Sequence, residues 1–201
     1  VSKQNYGIGR GKYFPTAGFW MGCRAHLFLH WRKIHMTKTS ITTRQIALCG
    51  FIAAVYAALT VATSWMAYGP FQFRIAEALC VLPAFLPITS LGLFVGCLIA
   101  NLFSTVSALD IVVGSLATLI AALWTSRCHK AWMIPLPPVL VNFVMVGAML
   151  AWVYTPDTFF QGFLLMGAEV AFGEIVVLYA LGLPLTLYLR KSGLGEKLRA
   201  L

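Results

Sequence analysis

The sequence predicts an all-α integral membrane protein with six transmembrane helices, the second and third short, and both termini cytoplasmic. Three observations predict it. Of 201 residues, 60% are hydrophobic and only 10% charged, and the mean hydropathy is +0.82, a composition outside the range of soluble globular domains. The apolar residues fall into six segments separated by turn signals and charges. The Lys and Arg residues between the segments lie overwhelmingly on alternate loops.

The first 35 residues stand apart. The chain carries 15 basic and 6 acidic residues, a net charge of +9. Lys3, Arg10, Lys12, Arg24, Arg32 and Lys33 supply six of those charges with no acidic residue among them, which leaves +3 for residues 36 to 201. The stretch has neither a helical nor a strand period and no apolar run of signal-peptide length. We expect a basic N-terminal extension: a disordered arm on anionic lipid, a nucleic-acid arm, or the product of an upstream start site, with Met36 opening the membrane domain of residues 36–201.

The first apolar segment, Ile46 to Ala67, is uncharged over 22 residues. At about 1.5 Å per residue it covers about 33 Å, enough for a ~30 Å hydrocarbon core. Tyr68-Gly69-Pro70 ends it. Ala76 to Leu86 and Leu91 to Phe103 follow, punctuated by Pro83, Pro87 and Gly92 and each short for a span; two short helices or a re-entrant hairpin are both compatible with them. The fourth segment, Ile111 to Ser126, is closed by Arg127-Cys128-His129-Lys130. The fifth, Met133 to Tyr154, carries Pro135, Pro137 and Pro138 at its start, where a helix tolerates proline. The sixth runs from Phe159 to Leu189 and contains Glu169 and Glu174.

With six crossings, Lys38, Arg44, Arg127, Lys130, Arg190, Lys191, Lys197 and Arg199 share one side and Arg74 alone takes the other, which places both termini in the cytoplasm. Two crossings or none by the short pair have the same parity and preserve that orientation; a single kinked span over Ala76 to Phe103 would put Arg127 and Lys130 outside, and the charge bias argues against it.

Enzyme signatures are missing. No CxxC or Cys/His metal spacing occurs among Cys23, Cys49, Cys80, Cys97 and Cys128, and no HExxH, GxSxG or P-loop is present. What the sequence does carry is charge at bilayer depth, where an ionisable group costs a few kcal/mol to insert. Glu174 is nearly central in its segment. Arg74 and Glu77, three apart, share a helical face and can pair or line a polar cavity. Asp110 reads as an N-cap before Ile111 or as a site residue. Asn101 and Asn142 suit an interhelical hydrogen bond or a ligand contact. Glu169, roughly 140° round the helix from Glu174, is placed to reach the outer interface. In the first segment Ala54, Ala58 and Ala62 recur every four residues, a smooth stripe for another helix of this chain or of a partner.

The run Tyr68 to Pro83, with Gly92 to Asn101, Asp110 to Leu119, Pro135 to Asn142, Gly173-Glu174 and Leu181 to Pro184, in that order, resembles the QueT family. The resemblance covers about residues 44 to 190 and not residues 1 to 35. It implies the substrate-capturing S component of an energy-coupling-factor (ECF) transporter in a bacterial cell membrane, binding a queuosine precursor such as 7-cyano- or 7-aminomethyl-7-deazaguanine from outside. It also implies no cofactor of its own, with ATP used by two partner ATPase subunits, and a transmembrane coupling subunit contacted by the stripe of Ala54, Ala58 and Ala62. For such a base, one carboxylate can accept from the adjacent ring N–H and amine. Glu174 is the first candidate and Glu77 or Asp110 the second; Asn101 or Asn142 would donate to the ring carbonyl, and Phe71, Phe73 or Trp65 would stack on the ring. Arg74 would orient Glu77. Rival readings are an S component for another vitamin or nucleobase, an intramembrane enzyme using Glu77 and Glu174 as an acid/base pair, and a non-transporting scaffold.

Overall fold

The computed structural model describes residues 41–199 apart from 70, 105 and 106. The basic extension, Met36 and Lys38 lie outside the described residues.

Helix α1 (Thr43–Ala62) starts earlier than its first apolar residue because a capping box fixes it. The Thr42 hydroxyl accepts from the Gln45 N–H at 3.3 Å, and the Gln45 side chain accepts from the Thr42 N–H at 3.1 Å. Within the helix, the Thr60 hydroxyl donates to the Tyr56 carbonyl at 2.9 Å, satisfying a polar group that lipid cannot. A short α2 (Ser64–Ala67) and an irregular loop follow.

The second apolar segment folds as a 3-10 helix, Ile75–Ala84, with Pro83 inside it. Its 10 residues at about 2.0 Å each span about 20 Å. Helix α3 (Thr89–Asn101) has 13 residues and a similar length. Both are short of a ~30 Å core, yet they are separate helices and run in opposite directions. The 3-10 segment runs antiparallel to α1, since Glu77 meets Tyr56 and Leu82 shares a hollow with Leu48. The direction of α3 is read from glycines: a Cβ on Gly92 would stand 2.6 Å from the Cys49 carbonyl oxygen, and one on Gly96 2.8 Å from that of Ala53. Four residues along α3 thus match four along α1, so the two helices are parallel and their backbones touch. Gly96→Val is expected to push these helices apart and cost about 1–3 kcal/mol, lowering the thermal unfolding midpoint in detergent; an unchanged midpoint would contradict this close approach.

The same packing places the alanine stripe. α1 buries Ile52, Ala53, Tyr56, Ala57 and Thr60, whereas Ala54, Ala58 and Ala62 are exposed. Among the described residues the stripe is therefore not a packing contact.

Helix α4 (Ala108–Thr125) is capped by Ser107, whose hydroxyl accepts from the Leu109 N–H at 3.2 Å. Asp110, read as a possible cap, sits inside the first turn and is fully buried. Helix α5 (Leu136–Tyr154) carries Pro137 and Pro138 in its first turn, where no N–H is required. Helix α6 (Phe159–Val177) continues through a π turn at Leu178–Gly182 into α7 (Leu183–Lys191). Pro184 cannot supply the N–H that a regular turn would need there, which accounts for the widened turn. A last helix, α8 (Leu194–Arg199), closes the described chain.

Among the described residues, four stretches are long and apolar enough to cross a membrane: Thr43–Ala62, Ala108–Thr125, Ala131–Tyr154 and Pro156–Lys191. Large apolar side chains such as Phe51, Leu116, Leu123, Trp152, Leu165 and Leu187 face outward, as a lipid-solvated surface requires and a water-solvated one does not. The helices alternate in direction. At one end the Arg190 guanidinium donates to the His129 carbonyl at 2.5 Å, Arg199 lies 5.8 Å from the Phe85 ring, and Leu198 shares a hollow with Leu48 and Thr89. At the other, the Tyr68 hydroxyl donates to the Ala100 carbonyl at 2.6 Å and Tyr68 lines a hollow with Tyr154. Arg127, Lys130, Arg190, Lys191, Lys197 and Arg199 thus gather at the end where α1 begins, and Arg74 at the opposite end.

Candidate functional site

The interior of the helical unit is polar where every long element meets. Among the described residues, the buried ionisable groups of formal charge are Arg74 (3% exposed), Glu77 (0%), Asp110 (0%) and Glu174 (3%). They come from four elements: the loop after α2, the 3-10 segment, α4 and α6.

One half of the cluster is built round Asp110. Its Oδ2 faces the Arg74 guanidinium at 3.4 Å and accepts from the Ser104 hydroxyl at 2.7 Å. The Asn101 amide nitrogen donates to the Asp110 carbonyl at 3.0 Å, tying the end of α3 to the start of α4. Gly114 makes this possible, since a Cβ there would stand 2.7 Å from Asn101 Nδ2 and 2.9 Å from Asp110 Oδ1. Arg74 also lies over the Tyr68 ring, 5.8 Å from its centre, a further site for its charge. Of the two readings of Arg74 and Glu77, an ion pair or the lining of a polar cavity, the pair is not formed: Arg74 pairs with Asp110, because it sits before the 3-10 segment in extended conformation (φ −83°, ψ 93°) and not on a shared helical face.

The other half is built round the two glutamates. Glu77 accepts from the Tyr56 hydroxyl on one carboxylate oxygen and from the Cys80 thiol at 2.8 Å on the other. Glu174 accepts from the Asn142 amide nitrogen at 2.7 Å. Glu174 is within electrostatic reach of both Glu77 and Arg74. Thus Arg74, Glu77, Asn101, Asp110, Asn142 and Glu174 are brought into one buried region.

The aromatic candidates are placed differently. Phe71 and Phe73 have ring centres 6.1 Å apart, and both pack on Phe172 of α6 at 5.9 and 6.4 Å. Trp65 is 78% exposed. The loop bearing these phenylalanines lies directly on α6: a Cβ on Gly173 would collide with the Phe71 carbonyl, and Gln72 takes a positive φ of 44° so that the chain can turn inward there. The loop therefore lies over the residue next to Glu174.

Sequence reasoning missed Tyr56, Cys80, Ser104 and Gln72. Tyr56 and Cys80 look like packing residues inside apolar runs. The signal available for Tyr56 was its hydroxyl, which must find a partner once buried.

Two features suit ligand capture. Several buried polar atoms have no protein partner: Arg74 Nε, Asn101 Oδ1, Asp110 Oδ1 and Glu174 Oε2 within the cluster, and Ser90 Oγ elsewhere. Such atoms cost free energy unless something fills their hydrogen bonds. Second, a hollow of about 280 Å³ opens at the Arg74 end, lined by Tyr68, Gly69, Gln72, Leu150, Tyr154, Met166 and Glu169. Glu169 is thus found at the mouth and not in the central cluster.

The family model described as QueT transporter matches residues 46–191. A queuosine precursor transporter QueT from Lactococcus lactis subsp. cremoris is 35% identical over 80 residues, covering 39% of this chain and 47% of the relative. The match spans about half the length of that relative. No solved structure matches the chain.

Proposed function

The chain belongs to the QueT transporter family, and from that premise we propose that it is the substrate-binding membrane subunit, the S component, of an ECF-type importer that takes up a 7-deazaguanine precursor of queuosine. In this reading the protein crosses a bacterial cell membrane six times with both termini in the cytoplasm, carries no cofactor and catalyses no reaction. A coupling subunit and two ATPase subunits supply the energy.

The observation that carries the reading is the buried cluster with its four unpartnered polar atoms. A deazaguanine offers ring N–H and amine donors on one edge and a carbonyl acceptor beside them. Glu174 Oε2 accepts from the donors, with Asp110 Oδ1 the second acceptor, and Arg74 Nε donates to the carbonyl. The asparagine amide nitrogens already donate inside the protein, so the carbonyl contact passes from Asn101 or Asn142 to Arg74. The base enters from the Arg74 end through the hollow beside Tyr68 and Glu169, which requires the Phe71–Phe73 loop to move off α6.

An acid/base enzyme built on Glu77 and Glu174 is less well supported, because both oxygens of Glu77 already accept from Tyr56 and Cys80. Another vitamin or nucleobase remains the alternative ligand.

Uptake in a host unable to make queuosine tests the proposal. Queuosine in tRNA is expected to reappear only when this chain and the energising subunits are both present, and no restoration with any deazaguanine supplied would overturn the ligand. The exposed stripe of Ala54, Ala58 and Ala62 on α1 is the proposed contact with the coupling subunit, since small side chains let backbones approach. Ala58→Trp is expected to abolish uptake while the isolated chain still binds the base; uptake at the unsubstituted rate would remove the stripe from the coupling interface.

A further inference from the structure

We propose that the end of the helical unit where α1 begins holds one anionic phospholipid, its phosphate between Arg190 and Arg199 and an acyl chain in the apolar hollow beside Leu198. The fold builds the polar half of this site from three separate pieces of chain. The Arg190 guanidinium, in the last turn of α7, donates to the His129 carbonyl at 2.5 Å, which holds the loop after α4 against it. Gly193 then turns the chain with a φ of 69°, and α8 seats on Phe85, where a Cβ on Gly195 would stand 2.6 Å from the ring. That seating carries Arg199 over the same ring, 5.8 Å from its centre. The result is a hollow of about 390 Å³ with Phe85 and Leu189 buried in its lining and Arg190, Arg199, His129 and Glu196 exposed round it.

Among the described residues, neither guanidinium stands in an ion pair with a carboxylate, that of Glu196 included. Arg190 spends one nitrogen on His129, and the rest of its fork is left for an anion; planar forks of this kind match the oxygens of a phosphate. What favours a lipid over a soluble phosphate is the neighbouring residue. Leu198, next to Arg199 in α8, lines a second hollow of about 160 Å³ with Phe51 and Val55 of α1 and Leu79 and Leu82 of the 3-10 segment. Thr89 there turns its hydroxyl to the Leu86 carbonyl at 2.7 Å, which leaves the side-chain lining apolar. Phe51 is 67% exposed, so this hollow opens on the lipid-facing surface. A soluble phosphate has no use for it, whereas the acyl chain of a lipid anchored at Arg199 fills it. Consecutive residues of one short helix thus join a cationic hollow to an apolar one. In the orientation proposed above, this end faces the cytoplasmic leaflet, where anionic lipids attract basic side chains.

Native mass spectrometry of the purified chain, titrated in detergent with phosphatidylglycerol and phosphatidylcholine of the same acyl chains, tests the site. One phosphatidylglycerol is expected to bind about tenfold or more tightly than phosphatidylcholine, the scale of two basic side chains at an anionic headgroup. Arg190→Gln with Arg199→Gln is expected to bring that ratio towards one. Lys191→Gln with Lys197→Gln removes the same charge from the same end without touching the hollow, and is expected to keep the ratio. All four side chains are exposed, so neither double variant disturbs a packed core. Equal loss in the two double variants would reduce the preference to diffuse attraction and overturn the site, as would equal binding of the two lipids to the unsubstituted chain. Displacement of the lipid by soluble glycerol phosphate would give the hollow to a free phosphate and overturn the lipid.

Discussion

Glu174→Gln is expected to weaken binding of a 7-deazaguanine base by about 100-fold, roughly 3 kcal/mol. The substitution preserves volume and helix geometry, so the change is one of chemistry alone. The Glu174 carboxylate has one oxygen held by Asn142 at 2.7 Å and the other without a protein partner. As glutamine, the residue must keep its carbonyl on Asn142, and its amino group then points where the free oxygen was. That presents a donor to a ligand edge made of donors and removes the charge that strengthens both contacts. Unliganded stability is expected to hold or rise, because one of three buried carboxylates that share a single guanidinium is lost. Calorimetric titration with the base, beside a thermal melt of each protein, separates the two effects. Equal affinity in the variant would remove Glu174 from the centre of the site.

Much of this molecule is readable from its residues because the bilayer leaves few options. An uncharged run of sufficient length must be a helix, and a charge within one must have a partner or a purpose. That is why α1, α4, α5 and the α6–α7 rod follow the apolar segments, and why Glu77, Asp110 and Glu174 could be named before their surroundings were known. The short middle pair was readable only as short. Beyond Pro83, nothing in Ala76 to Leu86 separates a 3-10 path from an α-helical one, since the rest of the choice is made by packing on α1 and α4.

That local ambiguity propagated into the site. Pairing Arg74 with Glu77 assumes a helix running through both; with Arg74 extended before the first turn, its side chain reaches Asp110, 36 residues away in sequence. The stacking roles foreseen for Phe71 and Phe73 rest on chemistry that any exposed aromatic offers, and whether such a ring meets a ligand or another ring depends on a loop path set by Gln72 and Gly173. The alanine stripe shows the converse case. Its spacing permitted a contact inside the chain or outside it, and only the placement of Gly92 and Gly96 on the Cys49 and Ala53 side of α1 leaves the stripe bare.

The second large effect is expected at Asp110, and it falls on folding. Asp110→Asn keeps the shape but removes the ion-pair partner of the Arg74 guanidinium, 3% exposed, leaving it the Tyr68 ring and the longer-range pull of Glu77 and Glu174. Removing one partner of a buried ion pair costs about 3–5 kcal/mol, because the other charge stays desolvated. Arg74→Met alone is expected to be comparably costly, since it leaves three buried carboxylates with no cation. The double variant Arg74→Met with Asp110→Asn removes the mismatch and is expected to lose clearly less than the sum of the singles, as coupled sites do. Thermal unfolding of all four proteins in one detergent measures this coupling, and strictly additive losses would mean the pair is not energetically linked. The pair also joins α4 to the loop that lies over Glu174. A double variant that folds is therefore expected to bind the base weakly despite its recovered stability, for it lacks both the guanidinium donor and the charge that holds this loop to the cluster.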